Sequence, residues 1–209
     1  MLPLTTEILV RAYAVGVFPM AHNRHDKRLH WIDPDLRGIL PLDDFHVPRS
    51  LCKVLKRGVF ETRVDFAFDT VIRTCAEPAP DRPETWINDE IVRLFGELHR
   101  EGLAHSVETW ADGQLVGGLY GLSLGGAFFG ESMFSRATDA SKVALVHLVA
   151  RLKVGGYTLL DTQFITDHLE RFGAIEVPRQ HYHHLLAEAV GSTAEFRPHE
   201  AVDWRAALS

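Results

Sequence analysis

Gly125-Gly126-Ala127-Phe128-Phe129-Gly130-Glu131-Ser132-Met133-Phe134-Ser135 is the stretch whose reading decides the fold. It begins as a buried strand. It then sets one acid, small hydroxyls, a Met and a Phe where a strand should hand over to a helix. Strict alternation puts Phe129, Glu131 and Met133 on one face and Phe128, Gly130 and Ser132 on the other. A carboxylate in such a run is either exposed at a sheet edge or partnered inside a pocket, because a lone buried charge is costly. The run reads as an apolar pocket with a charge at its lip.

Upstream, strands are expected near His105–Trp110 and Gln114–Ser123, joined through Asp112-Gly113 and Gly125-Gly126. Before them, Asn88 caps a helix that runs to Arg100 and ends at Gly102. Downstream, a helix over Ala140–Lys153 leads to a strand at Thr158–Asp161, a helix over Thr166–Phe172, a strand near Ile175 and a helix opened by Pro178. The Ser135–Lys142 entry into the first of these is rich in capping residues. Nearer the N-terminus come a helix at Thr5–Val15, extended chain over Trp31–Leu40 broken at Asp33-Pro34-Asp35, and a helix at Pro48–Gly58. A strand at Glu61–Phe66 and a helix at Phe68–Ala76 follow. Glu77–Pro83 is the one linker-like piece, with a domain boundary in or before it. The whole is an α+β layer fold.

Composition narrows the function. The chain has 209 residues, with 46% hydrophobic and 24% charged, as in a globular protein able to bury a core without staples. Cys52 and Cys75 lack metal spacing, and the twelve histidines supply none, with His181, His183 and His184 falling around a helix. No metal site and no cofactor are expected. Walker and dinucleotide patterns are absent. No signal peptide and no bilayer-spanning run are read, so the expected setting is a reduced cytoplasm without membrane attachment.

The net charge of −6 opposes nonspecific nucleic-acid binding by the whole surface. A local patch is an exception: the segment 46–63 carries +4, and Arg49, Lys53, Lys56 and Arg57 share one helix face. A solvated helix face is the plain alternative. At Leu159-Leu160-Asp161-Thr162-Gln163 the strand ends with an Asp and a Gln at i and i+2, able to grip one small polar group, or with an Asp that caps a turn. Trp31 and Trp86 are loop aromatics, either core lids or platforms for a nucleobase.

Taken in order, several stretches together resemble one family, the bacterial leucyl/phenylalanyl-tRNA–protein transferases. They are Gly16-Val17-Phe18-Pro19-Met20, Trp31 through Leu42 (WIDPDLRGILPL), Thr85-Trp86-Ile87, Glu97-Leu98-His99 and Ala104 through Glu108. They continue with Gly130 through Ser135 (GESMFS), Ala140-Ser141-Lys142, Leu160 through Gln163, and Asp167-His168 through Pro178-Arg179. The resemblance covers essentially the whole chain.

It implies a small N-terminal α/β domain, placed at 1–60, and an acetyltransferase (GNAT)-like catalytic domain at 61–209. It implies transfer of Leu or Phe, and sometimes Met, from aminoacyl-tRNA to the α-amine of proteins beginning with Arg or Lys. The new N-terminus marks the protein for degradation. Asp161 and Gln163 match a pair that holds the amine and relays its proton, and Glu131 matches an acid near the acceptor's first residue. A route through the terminal ribose hydroxyl is the other path for that proton. The aminoacyl pocket draws on Phe128, Met133, Leu119, Leu145, Leu148 and Leu160. Trp31 and Trp86 match positions that hold the terminal adenosine, and Arg49, Lys53, Lys56 and Arg57 serve the tRNA backbone. A monomer is expected. The rival is an acyl-CoA-dependent N-acetyltransferase, against which stands the missing Gly-rich pyrophosphate loop before the helix at Ala140.

Overall fold

Alternating apolar runs separated by Gly turns favour hairpins, and the three central runs pair as an antiparallel meander of β5 (Ala104–Ala111), β6 (Gln114–Leu124) and β7 (Ala127–Ser135). This computed structural model describes residues 4–78, 83–197 and 199–208. After the meander, α5 (Ala140–Val154) crosses over to β8 (Leu159–Gln163), which runs parallel to β7. A crossover helix is what a parallel pair requires. A short α6 (Asp167–Glu170), β9 (Ile175–Pro178) and α7 (Arg179–Gly191) follow, and a 3-10 turn at Trp204–Leu208 packs on α5.

The N-terminal part contributes α1 (Thr6–Ala14), a two-stranded sheet of β1 (Phe18–Ala21) and β2 (Leu29–Ile32), then β3 (Leu36–Ile39) and α2 (Arg49–Arg57). Next come β4 (Glu61–Val64), α3 (Phe68–Cys75) and α4 (Asp89–Arg100), the last capped by the Asn88 side chain as expected. The seven-stranded sheet has the order β4-β5-β6-β7-β8-β3-β9. The fold is thus mixed α/β on one large mixed sheet.

The extended chain at Trp31–Leu40 resolves into two strands in two different sheets. β3 is inserted between β8 and β9, so residues 36–39 are internal to the main sheet. The expected linker at Glu77–Pro83 falls largely on 79–82, outside the described residues. Among the described residues no helix is long and apolar enough to cross a membrane.

The sheet separates two apolar cores. One gathers Leu9, Tyr13, Phe95, Phe129 and Phe134 beneath α1, α3 and α4. The other gathers Leu119, Phe128, Leu145, Leu148 and Leu160 beneath α5, with Met133 packed against it.

Strict alternation along β7 does not hold. The β6–β7 register slips between Tyr120↔Ser132 and Gly121↔Gly130, leaving Glu131 as the extra residue of a bulge. One inserted residue reverses the faces that follow. Phe129 and Glu131 therefore face the α1 side, while Met133 joins Phe128 on the α5 side. Gly121 is required there, since a Cβ on it would lie 2.2 Å from the Phe129 carbonyl oxygen.

Candidate active site

The parallel ladder of β7 and β8 stops at Phe129↔Asp161, although β7 runs on to Ser135 and β8 to Gln163. Two residues beyond the last pair stand Glu131 and Gln163. Both line a cavity of about 810 Å³.

Asp161 lies behind this cavity rather than in its wall. It is fully buried and its two oxygens are fully engaged. Arg37 of β3 grips it with a fork, Nε to Oδ1 at 2.9 Å and Nη2 to Oδ2 at 2.7 Å. The Tyr182 hydroxyl of α7 donates to Oδ2 at 2.7 Å, and the Gln163 backbone N–H donates to Oδ1 at 2.8 Å. The Arg37 guanidinium is itself sandwiched between the Phe18 and Tyr182 rings at 4.5 and 4.4 Å, and it donates to the Gly16 carbonyl at 2.8 Å. Burial acts to lower the Arg37 pKa, but hydrogen bonds to Asp161 and its charge more than offset that and raise it. An acid so saturated has no lone pair left to take up a substrate proton.

The expectation that Asp161 and Gln163 reach one group from one strand face is therefore corrected. The backbone bond to Asp161 turns Gln163 out of the strand into the left-handed region, at φ +59. Holding a non-glycine residue there costs on the order of 1–3 kcal/mol, sustained only where the surroundings over-determine it. Gly38 permits the close passage: a Cβ on it would lie 2.7 Å from the Phe164 backbone carbon. With its amide nitrogen turned to the neighbouring carbonyls, Gln163 donates to Gly130 at 2.9 Å and to Thr162 at 3.3 Å. The side-chain oxygen is the group those two bonds leave over.

Glu131 is 8% exposed and accepts one bond, from the Tyr13 hydroxyl to Oε1 at 2.8 Å. Burial pushes its carboxyl up to about 8, and the charge of Asp161 adds to this, while the Tyr13 bond and Arg37 pull the other way. Tyr13 comes from α1 and packs edge-on against Phe129 at 4.9 Å.

Of the six expected pocket residues, Leu119, Met133, Leu145, Leu148 and Leu160 line the cavity. Phe128 does not: it is fully buried behind them, stacked on Phe196 at 5.5 Å. Trp86 lines the cavity, whereas Trp31 stands on β2 opposite Pro19, 43% exposed and outside the lining. β1 supplies Phe18 and Met20 instead, and α6 supplies His168 and Leu169. Arg49, Lys53, Lys56 and Arg57 are all exposed on α2, outside the cavity lining, and none has an ion-pair partner among the described residues. The expected caps of α5 also shift: Asp139 is left-handed and caps nothing, and the Ser135 hydroxyl accepts the Ser141 N–H at 3.2 Å.

Sequence reasoning missed Arg37, Tyr182 and Tyr13. Arg37 was visible as one cation in the apolar run Leu36-Arg37-Gly38-Ile39-Leu40, a pattern that calls for a buried anion. The two tyrosines carried no such signal.

Fold and site define a mixed α/β protein with a half-open cavity, apolar over much of its wall, that is lined by an acid and an amide. Residues 39–187 match the family model described as leucyl/phenylalanyl-tRNA protein transferase, and 3–35 match that of its N-terminal domain. The leucyl/phenylalanyl-tRNA–protein transferase of Paramagnetospirillum magneticum (strain ATCC 700264 / AMB-1) is 62% identical over 208 residues, covering 100% of both chains. Proteins of the same name from Caulobacter vibrioides (strain NA1000 / CB15N) and Rhodospirillum rubrum are each 59% identical, covering 92% and 94% of this chain and 88% and 92% of theirs. The chain belongs to the leucyl/phenylalanyl-tRNA–protein transferase family, a family of aminoacyltransferases.

Proposed function

We propose that this protein transfers Leu or Phe, and sometimes Met, from aminoacyl-tRNA to the α-amine of proteins that begin with Arg or Lys. A peptide bond forms, and the product's new N-terminus directs it to degradation. The observation that carries this reading is the juxtaposition of Gln163 and Glu131 with five apolar side chains around one cavity. The ester of an aminoacyl-tRNA is already activated, so the protein's task is to seat an amine and manage protons.

In this reading Leu119, Met133, Leu145, Leu148 and Leu160 receive the transferred side chain. Trp86, with Met20 beside it in the lining, stacks the terminal adenine. The Gln163 side-chain oxygen accepts a hydrogen from the incoming amine, and Glu131 faces the incoming basic N-terminus. Asp161 acts as a positioning residue, fixed by Arg37 and Tyr182, that holds Gln163 in its left-handed conformation. The exposed cations of α2 meet the tRNA backbone.

The meander followed by a strand–helix–strand crossover supports a GNAT-like catalytic portion preceded by a small N-terminal unit, whose boundary falls before β3 rather than at the expected residue 60, because β3 lies inside the main sheet. A cytoplasmic monomer without cofactor completes the reading.

The test mixes the protein with labelled Leu-, Phe-, Met- or Ile-tRNA, or acetyl-CoA, and a peptide beginning with Arg or Lys. Label is expected in the peptide from Leu- and Phe-tRNA, with less from Met-tRNA and none from Ile-tRNA. Label from acetyl-CoA alone would overturn the reading.

A further inference from the structure

The transfer leaves one proton in need of a destination. A free α-amine has an ordinary pKa of about 7.7–8.0 and is largely charged at neutral pH, and only the neutral amine attacks an ester. The groups around the cavity offer few acceptors. Asp161 is outside the lining and both its oxygens are occupied. Gln163 is an amide and has no useful basicity. Glu77 lines the cavity but is about half exposed and is held by Arg136 at 3.0 Å. His168 lines it too, but its Nε2 is sealed from solvent with no hydrogen-bond partner among the described residues, and burial, Lys142 and Arg171 hold its pKa below the ordinary value.

Glu131 differs from all of these. It lines the cavity, and the residue before it, Gly130, receives the Gln163 amide. Its Oε1 accepts from Tyr13, and among the described residues its Oε2 accepts from nothing. The charged and titratable groups that bear on it are Tyr13 of α1, Arg37 of β3 and Asp161 of β8. Burial raises its proton affinity to about that of an α-amine. A general base works best when its pKa lies near the operating pH.

We propose that Glu131 is the catalytic base that takes the first proton from the acceptor's α-ammonium, through Oε2, while Gln163 orients the neutral amine so formed. The inference rests on the transfer reading given above. The ammonium gives one proton to the Glu131 carboxylate. The amine nitrogen bonds to the ester carbonyl carbon, and the carbon–oxygen bond to the ribose breaks. The second proton on the attacking nitrogen passes to the departing ribose oxygen. Glu131 returns its proton to solvent after release. The Tyr13 bond favours the charged form of Glu131 and so tunes the base.

The experiment is single-turnover transfer from Phe-tRNA to a saturating peptide beginning with Arg, from pH 6 to pH 9. A bound ammonium beside Glu131 lowers its pKa, so the wild-type rate is expected to be nearly flat over this range. Glu131→Gln must rely on amine already neutral in solution. Its rate is expected to fall short about tenfold at pH 7 and about a hundredfold at pH 6, with the gap closing above pH 8. Tyr13→Phe, which leaves the acid in place, is expected to raise the pH at which the rate begins to fall. A Glu131→Gln deficit equal at every pH, and absent with a peptide whose first side chain is neutral, would make Glu131 a reader of that side chain and overturn the proposal. So would an unmoved profile in Tyr13→Phe. No transfer by the wild-type protein would remove the broader reading as well.

Discussion

Arg37 and Asp161 form a two-point ion pair with side chains 1% and 0% exposed, joining a strand near the N-terminus to the strand that ends at Gln163. Removing one partner of a buried pair strands the other charge in a low-dielectric site, at a cost of about 3–5 kcal/mol. Arg37→Ala and Asp161→Ala should each lower the urea midpoint of unfolding by a matching amount. Their double variant should lose less than the sum, because neither charge is then left alone. Additive losses would show that the pair is not coupled.

Gln163 separates stability from activity. Its backbone is left-handed, at φ +59, where glycine is at ease. Gln163→Gly should leave thermal stability unchanged or higher while removing most of the transfer activity. Parallel loss of both would mean that the Gln163 side chain is a structural strut.

Glu131 should make the fold less stable as pH rises. Its folded pKa is about 8 against about 4.5 for an ordinary glutamate. Between those values the folded state keeps a proton that the unfolded state has released, so stability declines with pH across that window. Glu131→Gln removes the effect. It should melt near the wild-type temperature at pH 5 and several degrees above it at pH 9, since 1 kcal/mol is about 2–4 °C for a chain of this size. Equal melting differences at the two pH values would contradict the buried-acid assignment.

The aminoacyl pocket is expected to discriminate by volume. Leu148 is 1% exposed and lines the cavity. Leu148→Phe should lower kcat/KM for Phe-tRNA relative to Leu-tRNA by about 10–200-fold, the range set by one misfitted apolar group. An unchanged ratio would place the transferred side chain elsewhere.

The α2 cations lie apart from the chemistry. Lys53→Glu with Arg57→Glu should weaken tRNA binding and flatten its dependence on salt by roughly one unit for each phosphate that is no longer neutralised. The rate of transfer from saturating tRNA should hold. An unchanged salt slope would take α2 off the tRNA path.

The meander, the α5 helix and the capped α4 were legible because each rests on local periodicity or turn chemistry, whereas the parallel pairing of β8 with β7 is a long-range property. Leu119, Leu145, Leu148 and Leu160 were found through burial and the resemblance, without knowledge of distance. The faces of β7 beyond Glu131 were misjudged because a bulge is a two-strand property: it is set by how β6 pairs, with Gly121 making room. Trp31's place was likewise set by pairing rather than by local sequence. The β1–β2 hairpin turns Met20 to the cavity while Trp31 stays outside its lining.

By itself, then, the sequence determined the order of elements from α2 onward, the family resemblance and the residue types gathered at the strand ends. Tertiary structure alone decided what those residues can do. A carboxylate's chemistry depends on its partners and its solvent. Asp161, met by Arg37, Tyr182 and a backbone N–H, became a fixed anchor. Glu131, met by one tyrosine and little water, was left as the acid whose proton can move.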